Sequence, residues 1–358
     1  MDRATVELYE AGATRWRDTR PARFIERAEM LGREVPTGVA RLDAGCGAGL
    51  HLPALGTPVV ALDAAYAMTA LARDVAPDSW PIQAELEHLP LRRDAIGGSW
   101  ARASYLHVPR VRLPWALMEL HQALRVGAPA AFTYRHGEQE GVIEDDDDDD
   151  FPGRFFAEWT TESLTAVHVG AGFEVDECVH DGGEWINVAA RRARTLPDFV
   201  DAGMRMLVCG LNPSEYAADV GVGFGRPGNR FWPAALAAGL VTRDRDPRHA
   251  LVEHRIGMTD MVKRATPRAD ALTPAEYRAG AERVERLVQW LQPRAVCFVG
   301  LAGYRAAVDR RAAAGEIAEG FGSVPAYLMP NPSGLNTHSK VDDLAEHLRA
   351  ALRVADGG

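Results

Sequence analysis

Two α/β domains are predicted by the order of apolar, glycine-rich and helical segments along this 358-residue chain. In the first half, strand-like apolar runs alternate with segments of helical periodicity, the strands at residues 39–43, 59–63 and 130–134 and the helices within 5–30 and 64–76. The second half starts a new alternation, with strands expected at 204–211, 294–300 and 325–330 and helices at 230–239, 274–291 and 340–353. Such alternation is typical of parallel sheets flanked by helices.

The boundary between the domains is predicted within residues 191–198, which follow an apolar strand and precede the fresh α/β pattern. We therefore assign residues 1–193 to the first domain and residues 196–358 to the second. An acidic run, Glu144 followed by six aspartates at 145–150, interrupts the first domain. Because like charges repel, we expect a solvated loop there, with metal capture or mimicry of DNA as alternatives.

Composition excludes several classes of protein. The 47 % hydrophobic and 25 % charged residues are typical of a globular protein, and no apolar stretch approaches membrane-spanning length. The four cysteines form no CxxC pair, which argues against a disulfide framework and against a metal site. We expect a cytoplasmic protein with no membrane partner. The whole chain has a net charge of −10, but residues 1–193 carry 19 Lys/Arg against 31 Asp/Glu, a net of −12, and residues 194–358 carry 21 against 19, a net of +2. Only the second half has a charge balance compatible with contacts to phosphates.

A glycine-rich loop directly follows the first strand. Asp43 precedes Gly45, Gly47 and Gly49, and a second acid, Asp63, ends the next strand. Glycines allow the backbone to approach a ligand closely and to turn into a helix, and a carboxylate about 20 residues downstream can accept both ribose hydroxyls. The pattern predicts a nucleotide-binding site.

These residues resemble those of class I S-adenosylmethionine-dependent methyltransferases, over residues 8–192. The resemblance implies a Rossmann-like fold and S-adenosylmethionine (SAM) as cofactor, with Asp43, Gly45, Gly47, Gly49 and Asp63 in the cofactor site. In the segment Gln-Ala-Glu-Leu-Glu-His-Leu-Pro at residues 83–90, Glu85 matches the acid that contacts the adenine amino group in this family. The acid often found before the family's fourth strand is missing around Ala101.

The methyl acceptor is not readable from the sequence. Neither the Asn/Asp-Pro-Pro-aromatic motif of amino methylation of bases nor the Pro-Cys nucleophile of cytosine C5 chemistry is present. Candidate residues that would face an acceptor are Tyr105, His107, Arg135 and His136, each with a packed or solvated structural role as the alternative.

Two Asn-Pro-Ser turns dominate the second half. Asn212 and Asn331 each begin such a turn directly after an apolar strand. Parallel strands place these turns at the C-terminal edge of a sheet, so the two turns can meet in one pocket although about 120 residues separate them. Either turn alone would be an ordinary turn tripeptide.

Four ordered segments resemble the mismatch-specific uracil/thymine-DNA glycosylases over residues 196–353. They are Gly-Leu-Asn-Pro-Ser at 210–214, the loop Gly-Val-Gly-Phe-Gly-Arg-Pro-Gly with Asn-Arg-Phe-Trp at 221–232, Gly-Met-Thr-Asp-Met-Val-Lys-Arg-Ala-Thr at 257–266, and Asn-Pro-Ser-Gly-Leu at 331–335. The family commonly has Gly at the position of Ser214. The resemblance implies a uracil-DNA-glycosylase-like α/β/α sandwich with a short parallel sheet.

The resemblance also implies the chemistry. Asn212 would be the catalytic residue, holding the attacking water by its amide oxygen, and Leu211, Ala217, Phe224 and Asn331 would form the base pocket. Backbone N–H groups at Leu211 and Phe224 would stabilise charge on the leaving base, and Phe224 would stack on it. The small Ala217, facing C5 of the base, would admit the methyl group of thymine.

The DNA contacts would come from the second turn. Leu335 would enter the vacated stack as a wedge, Gly334 would approach the unpaired guanine, and Ser333 and Asn336 would contact phosphates. The expected substrate is double-stranded DNA with a G·U or G·T mismatch, and the glycosylase needs no cofactor. With no lysine at the nucleophile position, we expect a monofunctional enzyme.

Two other functions remain open at this point. Methylation of an unknown acceptor would be the main activity, with the second domain as a DNA-targeting module. Alternatively, the first domain would be a ligand-binding module without catalysis.

Overall fold

The computed structural model describes residues 2–21, 23–143, 151–268, 271–334 and 339–357. The chain forms two compact units, Met1–Ala193 and Arg194–Gly358. The acidic run at residues 144–150 and the site candidates Leu335 and Asn336 lie outside the described residues. No helix in the described ranges is long and apolar enough to cross a membrane.

The first unit is built on one mixed sheet. Its strands are β1 Ala40–Ala44, β2 Val59–Asp63, β3 Trp80–Gln83, β4 Ile96–Arg102, β5 Pro129–His136, β6 Glu140–Ile143, β7 Arg154–Trp159, β8 Phe173–His180 and β9 Trp185–Arg192. Its helices are α1 Arg3–Thr19, α2 Ile25–Glu34, α3 Leu52–Leu55, α4 Tyr66–Val75, α5 Leu113–Ala123 and α6 Thr161–Gly170, with single 3-10 turns at Tyr105–His107 and Arg110–Arg112. The sheet order is β3-β2-β1-β4-β5-β7-β6, and β9 pairs antiparallel with β5 and β8.

Strands β3, β2, β1, β4 and β5 run parallel, so their C-terminal ends meet at one edge. The helical periodicity predicted within residues 5–30 corresponds to two helices, α1 and α2, which are separated by a segment that contains Pro21. Proline lacks an N–H donor and disfavours helical backbone in the residue before it, which explains the break. The core holds apolar residues of α2, α3 and the parallel strands, such as Leu31, Leu52 and Val59.

The second unit contains a five-stranded sheet of order β11-β10-β12-β14-β13. Its strands are β10 Met206–Gly210, β11 Ile256–Asp260, β12 Val296–Val299, β13 Gly315–Phe321 and β14 Val324–Met329. Its helices are α7 Glu215–Val220, α8 Phe231–Ala237, α9 Pro247–His254, α10 Pro274–Leu291, α11 Leu301–Ala307 and α12 Val341–Asp356. Four strands are parallel, in agreement with the expected short parallel sheet, and β13 is added antiparallel to β14 at one edge. Buried apolar residues such as Leu207, Val296 and Leu328 form the strand core.

A buried ion network ties the start of this unit to its sheet. Asp198, only 2 % exposed, accepts hydrogen bonds from Lys263 Nζ at 2.8 Å, from Arg283 at 2.8 Å and from Thr259 Oγ1 at 2.6 Å. Burial alone would raise the pKa of Asp198, but the positive charges of Arg283 and Lys263 outweigh it and hold the pKa below its usual value. Stability from this group is therefore present at neutral pH and is lost as pH falls through that lowered pKa.

Replacing Asp198 by asparagine should destabilise the second unit by about 3–5 kcal/mol, because two cations remain buried with no carboxylate between them. Native-state hydrogen exchange of peptides from β10 and β11 in the full-length chain measures the change. Arg205→Gln, which breaks the exposed pair between Arg205 and Asp356, is the matched control and should cost no more than about 1 kcal/mol. Equal losses of protection in the two variants would contradict a structural role for the network.

Candidate functional site

The C-terminal edge of the second sheet brings two of the sequence segments into contact. Gly210, the last residue of β10, lies opposite Asp260, the last residue of β11. Residues 261–266 then run beside the first turn: Met261 and Val262 donate backbone hydrogen bonds to the carbonyl oxygens of Gly210 and Leu211. Two segments about 50 residues apart in the sequence thus lie side by side and form one side of the candidate site.

Hydrogen bonds to these two segments hold the side chain of Asn212 in one orientation. Its amide nitrogen donates to the carbonyl oxygens of Pro213 at 3.1 Å and Arg264 at 3.0 Å, and to Thr266 Oγ1 at 2.8 Å. Carbonyl oxygens only accept hydrogen bonds, so nitrogen and not oxygen of the amide must face them. Within the described part of the chain, Asn212 Oδ1 has no hydrogen-bond partner. The amide oxygen is therefore oriented and still able to accept a hydrogen bond.

Phe224 lies next to the first turn. Its ring stacks on the fully buried Phe231 with centroids 4.3 Å apart, and Trp232 anchors the loop by donating to the Gly223 carbonyl at 2.8 Å. Phe224 has left-handed backbone, with φ at 56°. Such a conformation is unusual for a bulky residue and persists only where the surrounding contacts hold it. One ring face packs on Phe231, and the ring as a whole is only partly buried.

Asp260 is a carboxyl that no sequence argument singled out. A Cβ placed on Gly210 would lie 2.5 Å from Asp260 Oδ1 and 3.2 Å from the Phe224 ring, so the carboxyl and the ring both border Gly210. Burial is the main cause that raises the pKa of Asp260 to about 6. Lys263 pairs with Asp198 instead, and no described residue donates a hydrogen bond to the Asp260 carboxyl.

Arg230 connects the second turn to the loop at residues 221–232, which we call the aromatic loop because it carries Phe224, Phe231 and Trp232. The Arg230 backbone N–H donates to the Pro332 carbonyl at 2.9 Å and its guanidinium donates to the Ser333 carbonyl at 2.6 Å. A Cβ on Gly334 would lie 2.8 Å from the Gly228 carbonyl oxygen, which accounts for a glycine there. Ser333 donates its backbone N–H to Asn331 Oδ1 at 2.9 Å. The structure thus brings Asn331, Ser333 and Gly334 beside the aromatic loop.

Two further predicted pocket residues have packing roles. Leu211 packs its side chain so closely against α11 that a Cβ on Gly303 would lie 1.9 Å from it. Ala217 is buried in the first turn of α7, where its N–H donates to the capping Ser214 hydroxyl. Neither the Leu211 nor the Phe224 backbone N–H donates to another described residue. Both N–H groups are therefore able to bind an external acceptor.

In the first unit, the predicted glycine loop follows β1 at the C-terminal edge. A Cβ would lie 2.3 Å from the Ser104 side chain at Gly45 and 2.8 Å from the Ala72 backbone at Gly49, so both positions need glycine for packing. At Gly47 a Cβ would meet only Trp16, at 3.6 Å, but φ is 51°. Glycine is therefore needed at Gly47 because of its left-handed backbone conformation and not because a side chain would lack space.

The two acids beside this loop, one at the end of β1 and one at the end of β2, lie close enough for their charges to interact, Asp43 buried and Asp63 partly exposed. Asp43 is 2 % exposed, its Oδ2 has no partner among the described residues, and burial followed by the charge of Asp63 raises its pKa to about 8. Asp63 accepts the N–H groups of Gly47 and Ala65, each at 2.9 Å, and burial raises its pKa to about 6. Each carboxylate oxygen has two lone pairs, so Asp63 can still accept ribose hydroxyls. Glu85 is exposed just beyond β3, and Ala84 donates its N–H to the Asp63 carbonyl.

The four acceptor candidates divide into two groups. Tyr105 and His107 are buried, and His107 lies between the Tyr9 hydroxyl at 2.9 Å and the Phe155 carbonyl oxygen at 2.6 Å. Arg135 and His136 lie at the end of β5; Arg135 approaches Glu158, and His136 stacks on His180 with centroids 3.8 Å apart. The Phe156 ring joins the two groups, because both the His107 ring, at 4.9 Å, and the Arg135 guanidinium, at 5.2 Å, pack against it.

Sequence reasoning missed two features because contacts alone reveal them. Asp260 stands within a quoted segment, but only its position beside Gly210 makes it a pocket residue. Tyr9 and Arg154 are 145 residues apart, and only the fold joins them at 2.8 Å. Within the described ranges, no three His, Cys, Asp or Glu side chains are grouped as a metal site.

Comparison with known families agrees with both halves of this geometry. Residues 197–354 match the sequence model of the Uracil DNA glycosylase superfamily. Residues 42–132 match that of a methyltransferase domain. The chain thus carries one domain of each family, and the two resemblances seen in the sequence are confirmed at this level.

Solved structures similar to this chain include several methyltransferases. A SAM-dependent methyltransferase from Methanosarcina mazei is 15 % identical, covering 46 % of this chain and 97 % of its own, with a TM-score of 0.40. The 1,6-didemethyltoxoflavin-N1-methyltransferase of Burkholderia thailandensis is 18 % identical, covering 52 % and 85 %, with a TM-score of 0.42. A SAM-dependent methyltransferase from Mesorhizobium loti is 20 % identical, covering 46 % and 98 %, with a TM-score of 0.36.

Proposed function

We propose that the protein is a monofunctional DNA glycosylase that removes uracil mispaired with guanine from double-stranded DNA, fused to a SAM-dependent methyltransferase. Thymine opposite guanine is the second substrate. The glycosylase domain comprises residues 196–358 and the methyltransferase domain residues 1–193. The observation that carries the proposal is the Asn212 amide, whose nitrogen is held by three acceptors while its oxygen has no described partner. The cytoplasm is the proposed location, where free thiols persist.

The chemistry follows from that orientation. Asn212 Oδ1 accepts a hydrogen bond from one water molecule. This hydrogen bond directs the oxygen of the water toward the sugar C1′. The C1′–N1 bond breaks, its electron pair leaves with the base, and water oxygen bonds to C1′, giving an abasic site. The proton that this water loses passes through solvent to the departed base anion, so the products are neutral uracil and the abasic sugar. Because an amide is a weak base, the site favours bases that leave easily, such as uracil. The N–H groups of Leu211 and Phe224 stabilise the departing base anion.

The pocket contacts support a flipped base. Phe224 has one ring face against Phe231, so the other side of the ring is the stacking surface for an extruded base. Asn331 borders the site from the second turn, and Ala217 keeps the pocket wide enough for a methyl group at C5. Ser333, Gly334, Leu335 and Asn336 are the proposed DNA contacts.

Asp260 is the proposed source of a pH dependence. Below about pH 6 its neutral carboxyl donates a hydrogen bond to the departing base anion, and above that pH the ionised carboxylate repels it. We therefore expect the single-turnover excision rate to fall by about 10- to 100-fold as pH rises through about 6. Asp260→Asn keeps a neutral donor, so its rate should be nearly constant over this range and exceed that of the natural protein at pH 8.

The control for this prediction is Asp342→Asn, an exposed acid of the same unit, which should follow the natural pH profile. Single-turnover rates measured from pH 5 to pH 8.5 on one G·U duplex give both profiles. An Asp260→Asn protein whose rate still falls above pH 6 would assign the titration to another group.

The first unit fits SAM on three observations. Asp43 holds a buried oxygen that lacks a described partner, Asp63 has unused lone pairs, and Gly47 turns the backbone beside both. Asp43, Asp63, Glu85 and the three glycines would hold the cofactor, with Asp63 accepting the ribose hydroxyls and Glu85 the adenine amino group. When bound, SAM supplies an electrophilic methyl group. The acceptor is not identified by these residues.

The glycosylase is tested with a labelled duplex that carries one G·U pair. After incubation with the protein, alkali cleaves the strand at any abasic site. Strand cleavage that depends on the protein supports the proposal, and duplexes with G·T, A·U and G·C pairs rank the substrates. No cleavage of G·U, matched or single-stranded uracil would overturn the glycosylase and leave a DNA-targeting module for the methyltransferase.

A further inference from the structure

Three arginines surround the edge of the first sheet where β4 ends. Arg102 is the last residue of β4, and Arg20 and Arg23 belong to the segment between α1 and α2. We call these three residues the arginine cluster. The Arg102 guanidinium stacks over the Phe24 ring at 4.2 Å, which joins the strand end to that segment.

Arg102 lacks the hydrogen-bond or ion-pair partners that Arg192 and Arg41, two buried arginines of this unit, have. Arg192, 2 % exposed, pairs with Asp94 at 2.8 Å, and Arg41 donates to four backbone carbonyls. Arg102 is partly buried, yet its side chain has no hydrogen bond or ion pair to any described residue, and its Nε is buried without a partner. A charged group taken out of water without a partner costs free energy that a bound anion would offset.

The electrostatic surroundings are positive. Burial is the main cause that lowers the pKa of Arg102 to about 10, and the charges of Arg23 and then Arg20 lower it further in the same direction. Arg23 is exposed and its guanidinium has no described partner. Like charges gathered at one place repel each other, so they are stabilised by a ligand of opposite charge.

The cluster lies beside the glycine loop. Arg20 covers the Trp16 ring at 3.5 Å, and Trp16 lies 3.6 Å from the position of a Cβ on Gly47. Ser104, two residues after Arg102, packs against Gly45. Phe24, which packs against Arg102, and Ala103, which lies between Arg102 and Ser104, both have left-handed backbone, with φ at 65° and 52°. The guanidinium groups therefore border the proposed cofactor site rather than a remote face.

From this arrangement we propose that Arg102 and Arg23, with Arg20 beside them, bind an oxyanion, a phosphate or carboxylate group, of the methyl acceptor. The inference rests on the proposed SAM-dependent methyltransferase and names the chemical class of its substrate. A guanidinium presents a planar fork of N–H donors that matches two oxygens of such a group. The Arg102 side chain has no hydrogen bond or ion pair to a described residue, so the outer N–H groups of its guanidinium are the available donors. An anionic acceptor matches these donors better than a neutral one.

The test measures anion binding by the full-length protein saturated with S-adenosylhomocysteine. Inorganic phosphate is titrated by ³¹P line broadening and acetate by ¹H saturation transfer, at constant ionic strength. At least one of the two should bind with a dissociation constant in the millimolar range. Arg102→Gln should weaken it at least tenfold and Arg102→Lys less, while Arg33→Gln, an exposed arginine of α2 that pairs with Glu29, should leave it unchanged. The preferred probe identifies phosphate or carboxylate as the group on the acceptor.

Binding of S-adenosylhomocysteine, measured by calorimetry, separates two sources of the anion. Unchanged affinity in Arg102→Gln supports an acceptor site. A tenfold loss of that affinity, with anion binding intact, would overturn the proposal and assign Arg102 to the cofactor's own carboxylate. Absence of phosphate and acetate binding by the natural protein would overturn it too. The anion titrations are repeated without S-adenosylhomocysteine, so a failure of cofactor binding, which refutes the methyltransferase, is distinct from a failure of the cluster.

Discussion

Asn212→Ala should reduce uracil excision from a G·U duplex by about 10²- to 10⁴-fold, the usual contribution of one side chain that positions a reacting proton. The loss follows because, among the described residues at the end of β10, only Asn212 offers an oriented amide oxygen to the attacking water. Single-turnover excision, with protein in excess over a labelled duplex, measures the chemical step without product release.

Two measurements keep this prediction specific. Duplex affinity, measured by electrophoretic mobility shift, should be nearly unchanged in Asn212→Ala, because the substitution removes a water-binding group and not a DNA contact. Thr266→Val removes one of the three acceptors that orient the amide, at 2.8 Å, and should cost only about two- to tenfold, equivalent to one neutral hydrogen bond. Full excision activity in Asn212→Ala would remove this residue from the mechanism.

Asp63→Ala should weaken SAM binding by about 100-fold or more, which corresponds to about 3 kcal/mol. The carboxylate loses its expected bonds to the ribose, and the N–H groups of Gly47 and Ala65, now bonded at 2.9 Å, lose their acceptor. The glycine loop itself should therefore become less ordered. Isothermal titration calorimetry with SAM and with S-adenosylhomocysteine measures the effect.

Asp74→Ala is the matched control, because Asp74 is an exposed acid of the same unit. Its affinity for SAM should equal that of the natural chain. Uracil excision by Asp63→Ala should also be unaffected if the two activities are independent. Equal SAM affinities of Asp63→Ala and the natural protein would exclude Asp63 from the cofactor site, and no SAM binding by the natural protein would exclude the methyltransferase.

Much of the fold could be predicted from local sequence. Strand β2 matches its prediction at residues 59–63, and α10 matches its predicted span at 274–291, because an apolar period, a capping Thr273 and Pro274 all agree at its start. In the second unit, strands β11 and β13 and helices α7, α9 and α11 were not predicted, and in the first unit several elements, among them β3, β6, β7, β8, α3, α5 and α6, were not predicted either. Those of the second unit are short, and the antiparallel edge strand β13 has an exposed alternation that resembles a loop.

The candidate sites were predictable only in part. The Asn-Pro-Ser turns and the glycine loop carry their signal within a few neighbouring residues, so Asn212, Asp43 and Asp63 could be proposed directly. Asp260 and Arg102 could not, since each is a common residue type whose meaning depends on its neighbours. For Asp260 the neighbours are Gly210 and Phe224, and for Arg102 the neighbour is Phe24.

The sequence by itself determined the two families, the positions of the main strands along the chain and the residue types available for chemistry. These depend on local periodicity and on motifs of fixed spacing. Only the tertiary structure decided which groups lack partners. The free oxygen of Asn212, the raised pKa of Asp260 and the unpaired guanidinium of Arg102 arise from burial and from contacts between segments far apart in the chain. Electrostatic free energy depends on distance and solvation, which no linear pattern encodes.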